Sequence, residues 1–312
     1  MQTKYRIMFL TWHYSTPEIF LETLLKQTPN KSGKWGNIEA TTDMRLASYF
    51  VVFDGYRGKF PEERALYFGQ HPHSVQGCVD YRDFKDIKKC VATFPLEKYL
   101  NPAEWWIDYD YDTLVKLPPP KKSKDLFCAV TYQDSRPTYT HRREFLSRYM
   151  QLSHNIDLYG RPKVKFENDE LRKIYKGVLG FDNYDIHKND HTKGKEVIAD
   201  YRYSLEFDMG PTTNYICERF YDAILLWTFP IYYGSTNVEQ YFPKNSFRYV
   251  NIAENNMGEA KKVLELVNSN FREQHIDDLA QARDLALHKY STFARIHEII
   301  NNLDKYTKKD NS

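Results

Sequence analysis

The sequence predicts an α/β protein with two parallel-sheet domains. Short apolar segments alternate with segments of helical spacing along most of the 312 residues, a pattern typical of parallel strands joined by crossover helices. The prolines of LPPPKKSKD, Leu117–Asp125, stiffen this stretch and its lysines favour solvent, so it is predicted to be a linker. We therefore predict a first domain at 1–117, a linker at 118–125, a second domain at 126–280 and C-terminal helices at 281–312.

Three strands are predicted in the first domain. A helix at Pro17–Gln27 follows the first strand, and a helical turn at Pro61–Ala65 precedes the third. Ligands of parallel sheets bind beyond the carboxyl ends of the strands. The crevice there is predicted to be lined by His13, Asp54 and GQHPHS, Gly69–Ser74. The predicted strands are Tyr5–Thr11, Ala47–Phe53 and Leu66–Phe68.

The second domain repeats this alternation. Helices are predicted at Thr140–Leu152 and Asn214–Leu226, and a polar loop with short helices at Asn168–Gly194. Apolar spacing predicts that the chain ends in helices over Glu259–Asp304. The predicted strands are Leu126–Thr131, Ile156–Tyr159, Tyr201–Phe207 and Pro230–Tyr233.

Composition argues against several classes of protein. The net charge is only +2, whereas nucleic-acid-binding proteins normally carry a clear basic excess. The four cysteines form no C-x-x-C pair, which argues against a disulfide framework or structural zinc. No signal peptide or apolar run of about 20 residues is visible. We predict a cytoplasmic protein with no nucleic-acid partner and no membrane span; peripheral attachment to a membrane stays open.

No metal site is predicted. The carboxylates of DYDYD, Asp108–Asp112, could grip a cation, but the run lies just before the linker and is better explained as a solvated edge. His187 and His191 are four residues apart, in a segment that reads as a loop. The charged run His141–Glu144 could meet phosphates, but we favour a solvated helix face as its explanation.

The stretch FDMGPTTNYICERF, Phe207–Phe220, has the properties of a phosphate site. A strand ends at Asp208, and Thr212, Thr213 or Asn214 could cap the helix that follows. A helix N-terminus favours phosphate. Arg219 could add a charged hydrogen bond to phosphate oxygens, and Glu218 could accept ribose hydroxyls. The alternative is an exposed Glu-Arg pair on an ordinary crossover helix.

The segment YRYSLEFDMGPTTNYICERFYDAILLWTFPIYYGSTNVEQYFPKNSFRYV, Tyr201–Val250, resembles the α-1,3-fucosyltransferase family, in particular its bacterial members. The resemblance extends more weakly over the whole chain. It implies a GT-B fold, in which an N-terminal acceptor-binding and a C-terminal nucleotide-sugar-binding Rossmann-like domain face each other across a cleft. It also implies last helices that cross back to the first domain, and metal-independent, inverting transfer of fucose from GDP-fucose to a glycan hydroxyl, with no cofactor.

The resemblance also implies roles for individual residues. The ribose-binding Glu of the family falls on Glu218 and its phosphate-binding Lys on Arg219. A Tyr that precedes them falls on Tyr215. A phosphate-binding Arg falls on Arg161, with Lys163 or Lys165 as alternatives.

Two departures from the family pattern leave the chemistry open. Where the family reads Phe-Glu-Asn, this chain reads Phe207, Asp208 and Met209, so a donor-binding carboxamide is lost. Gln70 falls where the family's proposed general base is a Glu, and an amide cannot accept that proton. His71, His73 and Asp54 are the candidate replacements, and we favour His71 or Asp54. Two alternative functions stay open. One is a glycosyltransferase that uses another UDP- or GDP-linked sugar, and the other is a nucleotide-sugar-binding protein without transferase activity.

Overall fold

The structure, a computed structural model, contains two six-stranded sheets. In both sheets the strands lie parallel except for one short edge pair, which confirms the predicted α/β class. The described residues are 4–70, 89–96, 98–130, 137–160, 169–177, 179, 194–254 and 257–307.

The first sheet has the spatial order β2–β3–β1–β4–β5–β6. Its central strands are almost continuously apolar because helices and loops cover both faces. The edge strands β2 and β3 pair antiparallel. The strands are β1 (Tyr5–Thr11), β2 (Lys34–Trp35), β3 (Ile38–Ala40), β4 (Tyr49–Phe53), β5 (Ala65–Phe68) and β6 (Ala92–Phe94).

The second sheet has the order β12–β11–β10–β7–β8–β9. The edge strand β9 lies in a segment predicted to be a loop, and it consists of only three residues, YKG, too few to show a period. The strands are β7 (Lys124–Val130), β8 (Asp157–Gly160), β9 (Tyr175–Gly177), β10 (Tyr201–Phe207), β11 (Phe229–Tyr233) and β12 (Arg248–Tyr249).

Ten α-helices lie within the described ranges, and none of them is long and apolar enough to cross a membrane. A π-helix, Ala286–Tyr290, lies between α8 and α9. The helices are α1 (Pro17–Leu25), α2 (Tyr111–Lys116), α3 (Pro137–Leu152), α4 (Asp169–Ile174), α5 (Glu218–Leu225), α6 (Met257–Val267), α7 (Phe271–Gln274), α8 (Ile276–Leu285), α9 (Thr292–Asn301) and α10 (Leu303–Thr307).

The last helices divide between the two sheets. Leu279 of α8 packs in the same apolar cluster as α5 of the second half. Phe293 of α9 instead belongs to the core of the first sheet, where its ring centroid lies 5.2 Å from that of Phe9. The chain therefore returns to the first sheet between α8 and α9.

The segment before the linker packs against elements of the second half of the chain. Trp105, Ile107 and Leu114 share a buried cluster with Phe220 of α5. The carboxylate of Asp222 on α5 accepts the N–H of Trp106 at 2.7 Å. This segment therefore joins the core beside the second sheet, although it precedes the linker in the sequence.

Candidate functional site

A cavity of about 170 Å³ lies between the carboxyl ends of β1, β4 and β5 and the segment that leads into α5. Residues from both halves of the chain therefore face one space. The lining residues are Thr11, His13, Tyr14, Phe20, Phe53, Gln70, Asn101, Glu104, Trp106, Tyr215, Ile216, Cys217 and Glu218.

A second cavity, of about 280 Å³, adjoins the first. Tyr14, Glu104 and Trp106 line both cavities. Aromatic rings and carboxylates together form much of the wall of the second cavity. Its other lining residues are Glu22, Thr23, Leu25, Lys26, Lys31, Trp105 and Asp108.

The first-sheet wall of the first cavity is organised by Asp54. This carboxylate is buried, with 7% of the residue exposed, and lies beneath the lining residues. One oxygen, Oδ2, is 3.1 Å from Nε2 of His13, and the other, Oδ1, accepts the backbone N–H of Gln70 at 2.7 Å. His13 and Gln70 reach the cavity, whereas Asp54 holds them from behind.

Gln70 lines the cavity with a side-chain amide. Its Oε1 is 3.4 Å from Nδ2 of Asn101. Its Nε2 is buried and has no hydrogen-bond partner among the described residues. A side-chain amide of this kind cannot act as a base. The other two candidate bases, His71 and His73, lie outside the described residues.

The helix in the second-sheet wall of the cavity begins later in the sequence than predicted. The helix was expected from Asn214, but α5 begins at Glu218, with Cys217 at its N-cap position and no side-chain cap. Asn214 has a φ of 60°, and its Nδ2 donates to the carbonyl of Leu96 at 2.8 Å, so the backbone there is not helical. Thr212, Thr213 and Asn214 therefore do not cap this helix.

Glu218 is consequently the first residue of α5. A carboxylate at this end of a helix is stabilised by the helix dipole. Glu218 lines the cavity together with Tyr215 and Cys217, two residues that are themselves mostly buried. Two of the predicted binding residues, Tyr215 and Glu218, therefore lie in the wall of one cavity.

Asp208 and Met209, at positions where the resemblance implies contacts to the donor, are absent from the lining of the two cavities. Asp208 is fully buried and accepts hydrogen bonds from the Cys217 thiol and the Tyr232 hydroxyl. Burial raises the pKa of Asp208 to about 6, although these two hydrogen bonds oppose the shift. The carboxylate thus ties the end of β10 to the start of α5 and to β11.

Two arginines converge on the carbonyl of Phe207 at the end of β10. Nη1 of Arg219 donates to it at 3.0 Å and Nη2 of Arg142 at 2.6 Å. Burial and the neighbouring Arg219 lower the pKa of Arg142. Arg142 is 1% exposed, and its Nε has no hydrogen-bond partner among the described residues, whereas the Arg219 side chain is 24% exposed. Two guanidinium groups therefore lie beside the loop that leads to α5, and Nε of Arg219 is also 3.8 Å from Oε1 of Glu218.

The sequence placed Arg142 on a solvated helix face, and the structure buries it instead. The paired arginines of THRRE gave a weak indication of this, but which one turns inward depends on packing against β10. Arg161 and its alternatives Lys163 and Lys165 lie outside the described residues.

The described ranges contain no group of three or more His, Cys, Asp or Glu side chains suited to a metal. In the DYDYD run, Asp110 caps α2 by accepting the N–H of Thr113. Asp112 accepts the N–H of Asn30 at 2.6 Å. These two carboxylates therefore have structural partners.

Comparison with known families decides where the chain belongs. Residues 119–275, half of the chain, match the C-terminal model of glycosyltransferase family 10, the fucosyltransferases. The chain belongs to this family. The matched region includes the second sheet and α5, and hence the wall that contains Glu218.

Curated relatives of this family 10 protein are distant. The chain is 24% identical to the GDP-fucose protein O-fucosyltransferase 3 of Danio rerio over 116 residues, 37% of this chain and 23% of that protein. It is 24% identical to the human protein of the same name over 132 residues, 42% of this chain and 25% of that protein. The alignments span about a quarter of the length of these relatives.

Solved glycosyltransferases share the fold. An α-glucosyltransferase in complex with UDP and DNA aligns over 96% of this chain and 99% of its own, with a TM-score of 0.56 and 7% identity. A glycosyltransferase from Rickettsia africae aligns over 99% of this chain and 100% of its own, with a TM-score of 0.51 and 10% identity. An α1,3-fucosyltransferase with GDP-fucose aligns over 100% of this chain and 93% of its own, with a TM-score of 0.49 and 16% identity. The fold of the family 10 chain is GT-B.

Proposed function

We propose that this protein transfers fucose from GDP-fucose to a hydroxyl group of a glycan or glycosylated acceptor. One observation carries the proposal: the family 10 fucosyltransferase region contributes Tyr215, Cys217 and Glu218 to a cavity whose opposite wall is formed by strand ends of the first sheet. A donor held on one wall would then meet an acceptor held on the other.

The second-sheet wall is suited to a nucleoside diphosphate. The backbone N–H groups at the start of α5 and the positive end of its dipole favour phosphate. Arg219 lines neither cavity, but its side chain is 24% exposed beside this helix start and could donate to phosphate oxygens. Glu218, in the cavity wall, can accept the hydroxyls of ribose.

The choice of GDP-fucose rests on the family and on the curated relatives, which are named as GDP-fucose-dependent enzymes. We assign none of the described side chains to the recognition of guanine. Met209 replaces the carboxamide of the family pattern, and so another GDP- or UDP-linked sugar is the alternative donor.

The second cavity is suited to an acceptor saccharide. The rings of Tyr14 and Trp106 can stack on sugar faces, and carboxylates accept hydrogen bonds from sugar hydroxyls. Glu22, Glu104 and Asp108 supply such carboxylates. Because Glu104, Tyr14 and Trp106 line both cavities, a saccharide held here would reach the donor cavity with one end.

The proposed reaction is a single displacement with inversion at the sugar carbon. The acceptor oxygen attacks C1 as the bond from C1 to the phosphate oxygen breaks. Guanidinium and helix N–H groups would stabilise the leaving diphosphate, a role that a divalent cation has in other transferases. The reaction is therefore expected to proceed in a chelator.

A thermal-shift panel of GDP-, UDP-, CMP- and dTDP-linked sugars tests the donor class before any acceptor is known. We expect GDP and GDP-fucose to raise the melting temperature and the other nucleotides to leave it unchanged. Stabilisation by a UDP-sugar alone would contradict the donor assignment. Stabilisation by GDP-fucose without turnover on any acceptor would instead favour a binding protein.

A further inference from the structure

The cavity holds an imidazole and a carboxylate arranged as a proton acceptor and its support. We propose that His13 is the general base of the transfer reaction, positioned by Asp54. The inference rests on the proposed function and adds to it the group that takes the acceptor proton. Gln70, at the place where a carboxylate base was expected from the resemblance, cannot perform this step.

The geometry fixes how His13 is presented. Its Nε2 lies 3.1 Å from Oδ2 of Asp54, and its side chain is 26% exposed and lines the cavity. When Nε2 donates its proton to this carboxylate, the lone pair lies on Nδ1. The ring also stacks on Trp12, with centroids 3.9 Å apart, which limits its rotation.

Asp54 is itself held in place. Its backbone has a φ of 57°, a conformation that Asp and Asn adopt more readily than most residues. The N–H of Gln70 donates to its Oδ1 at 2.7 Å, and the side chain is 4% exposed. Both oxygens therefore face protein groups, and Asp54 acts through His13 rather than on the acceptor.

The register of the first sheet explains why these residues meet. Thr11 of β1 lies opposite Phe53 of β4 in the parallel ladder. His13 and Asp54 follow these two positions and emerge at the same edge of the sheet. The neighbouring strand β5 brings Gln70 to that edge, with Phe53 opposite Phe68.

Several titratable groups face His13 across the cavity. Glu104 comes from the segment before α2, and Glu218 comes from the start of α5. Tyr14, Tyr215 and Cys217 complete the set, and burial raises the pKa of both Tyr215 and Cys217.

Each atom of the proposed step is accounted for. The acceptor hydroxyl loses its proton to Nδ1 of His13, and its oxygen forms the new bond to C1 of the sugar. The bond from C1 to the phosphate oxygen breaks, and its electron pair leaves with the nucleoside diphosphate. The imidazolium then releases its proton to solvent after the product departs.

Glu104 is the strongest alternative within the cavity because its carboxylate could also accept a proton. A carboxylate of ordinary pKa is a weaker base near neutral pH than imidazole, whose unperturbed pKa is about 6.5. The two groups predict different mutants and different pH profiles, so one set of rate measurements separates them.

The experiment compares kcat over a pH series for the wild type and His13→Gln, using GDP-fucose and the best acceptor from a panel of saccharides and Ser/Thr peptides. We expect kcat to fall by about 10²- to 10⁴-fold in the variant and its acid limb to disappear. The Kd for GDP should change by less than about twofold, and His154→Gln, at an exposed loop position, should match the wild type.

Asp54→Asn tests the positioning residue and keeps the backbone conformation accessible. We expect a smaller loss of kcat, about tenfold or more, with little change in acceptor KM. The Kd for GDP should stay within about twofold of the wild type, and the double variant with His13→Gln should be no slower than His13→Gln alone, because Asp54 acts through His13. A purely structural role would weaken GDP binding and make the double variant slower than His13→Gln.

Three results would overturn the inference. His13→Gln could retain kcat within about fivefold of the wild type, or Glu104→Gln, His71→Asn or His73→Asn could remove the acid limb while His13→Gln keeps it. In both cases wild-type fucosyl transfer would still stand. If the wild type binds GDP but transfers no sugar, the proposed function fails and the base assignment fails with it.

Discussion

Asn101 forms a paired hydrogen bond with the backbone of Ile216. Its Oδ1 accepts the Ile216 N–H at 3.1 Å, and its Nδ2 lies 3.3 Å from the Ile216 carbonyl. The same Nδ2 is 3.4 Å from Oε1 of Gln70. One buried amide therefore links the loop before α5 to the opposite wall of the cavity.

Asn101→Ala should destabilise the protein and loosen this cavity. The buried N–H and carbonyl of Ile216 lose their partner, which costs about 1–3 kcal/mol in the free energy of unfolding. Chemical denaturation measures that loss, and calorimetry should show weaker GDP binding. Asn268→Ala, at an exposed position, is the control and should change stability by less than about 0.5 kcal/mol. Equal stability of the two variants would contradict the structural role of Asn101.

Glu206 on β10 predicts a specific dependence of stability on pH. Burial raises its pKa to about 8 from the ordinary 4.5. Between these two pH values the folded state holds a proton that the unfolded state has lost, so the free energy of unfolding falls as pH rises. The effect is complete above about pH 8.

Glu206→Gln should remove this dependence because the amide does not titrate. We expect the stability of the variant, relative to the wild type, to increase by about 4 kcal/mol between pH 4.5 and pH 8. Urea denaturation at pH 4.5, 6 and 8 measures the difference. A difference that stays constant over this range would show that folding does not raise the pKa of Glu206.

Arg219→Ala should weaken GDP binding by about 1.5–3 kcal/mol, the value of a charged hydrogen bond. Arg219→Lys keeps the charge but loses the planar fork, so an intermediate affinity is expected. Arg45→Ala is the control because that guanidinium is 88% exposed and pairs with Asp43. Unchanged GDP affinity in Arg219→Ala by calorimetry would remove Arg219 from the donor site.

β1 was predictable because its sequence, YRIMFLT, is a nearly continuous apolar run, and β10 because YRYSLEF has an apolar residue at every second position. β1 and β10 have the predicted bounds, Tyr5–Thr11 and Tyr201–Phe207. The start of α5 was not predictable in the same way. Asn214 is held by Leu96 and Asn237, partners that local spacing does not reveal.

The two walls of the site differ in how much the sequence indicates. Tyr215 and Glu218 followed from a resemblance and do line the cavity. The contact between His13 and Asp54 could have been anticipated, since both residues follow neighbouring parallel strands. The burial of Arg142 could not, because it depends on how α3 packs against the end of β10.

The most direct test of the whole account is product analysis after incubation with GDP-fucose and an acceptor panel in excess EDTA. We expect fucose to be transferred to an acceptor hydroxyl, with the configuration at its C1 inverted relative to the donor by NMR. Transfer that requires an added divalent cation, retention of configuration, or no transfer from GDP-fucose while another nucleotide sugar is consumed would contradict it.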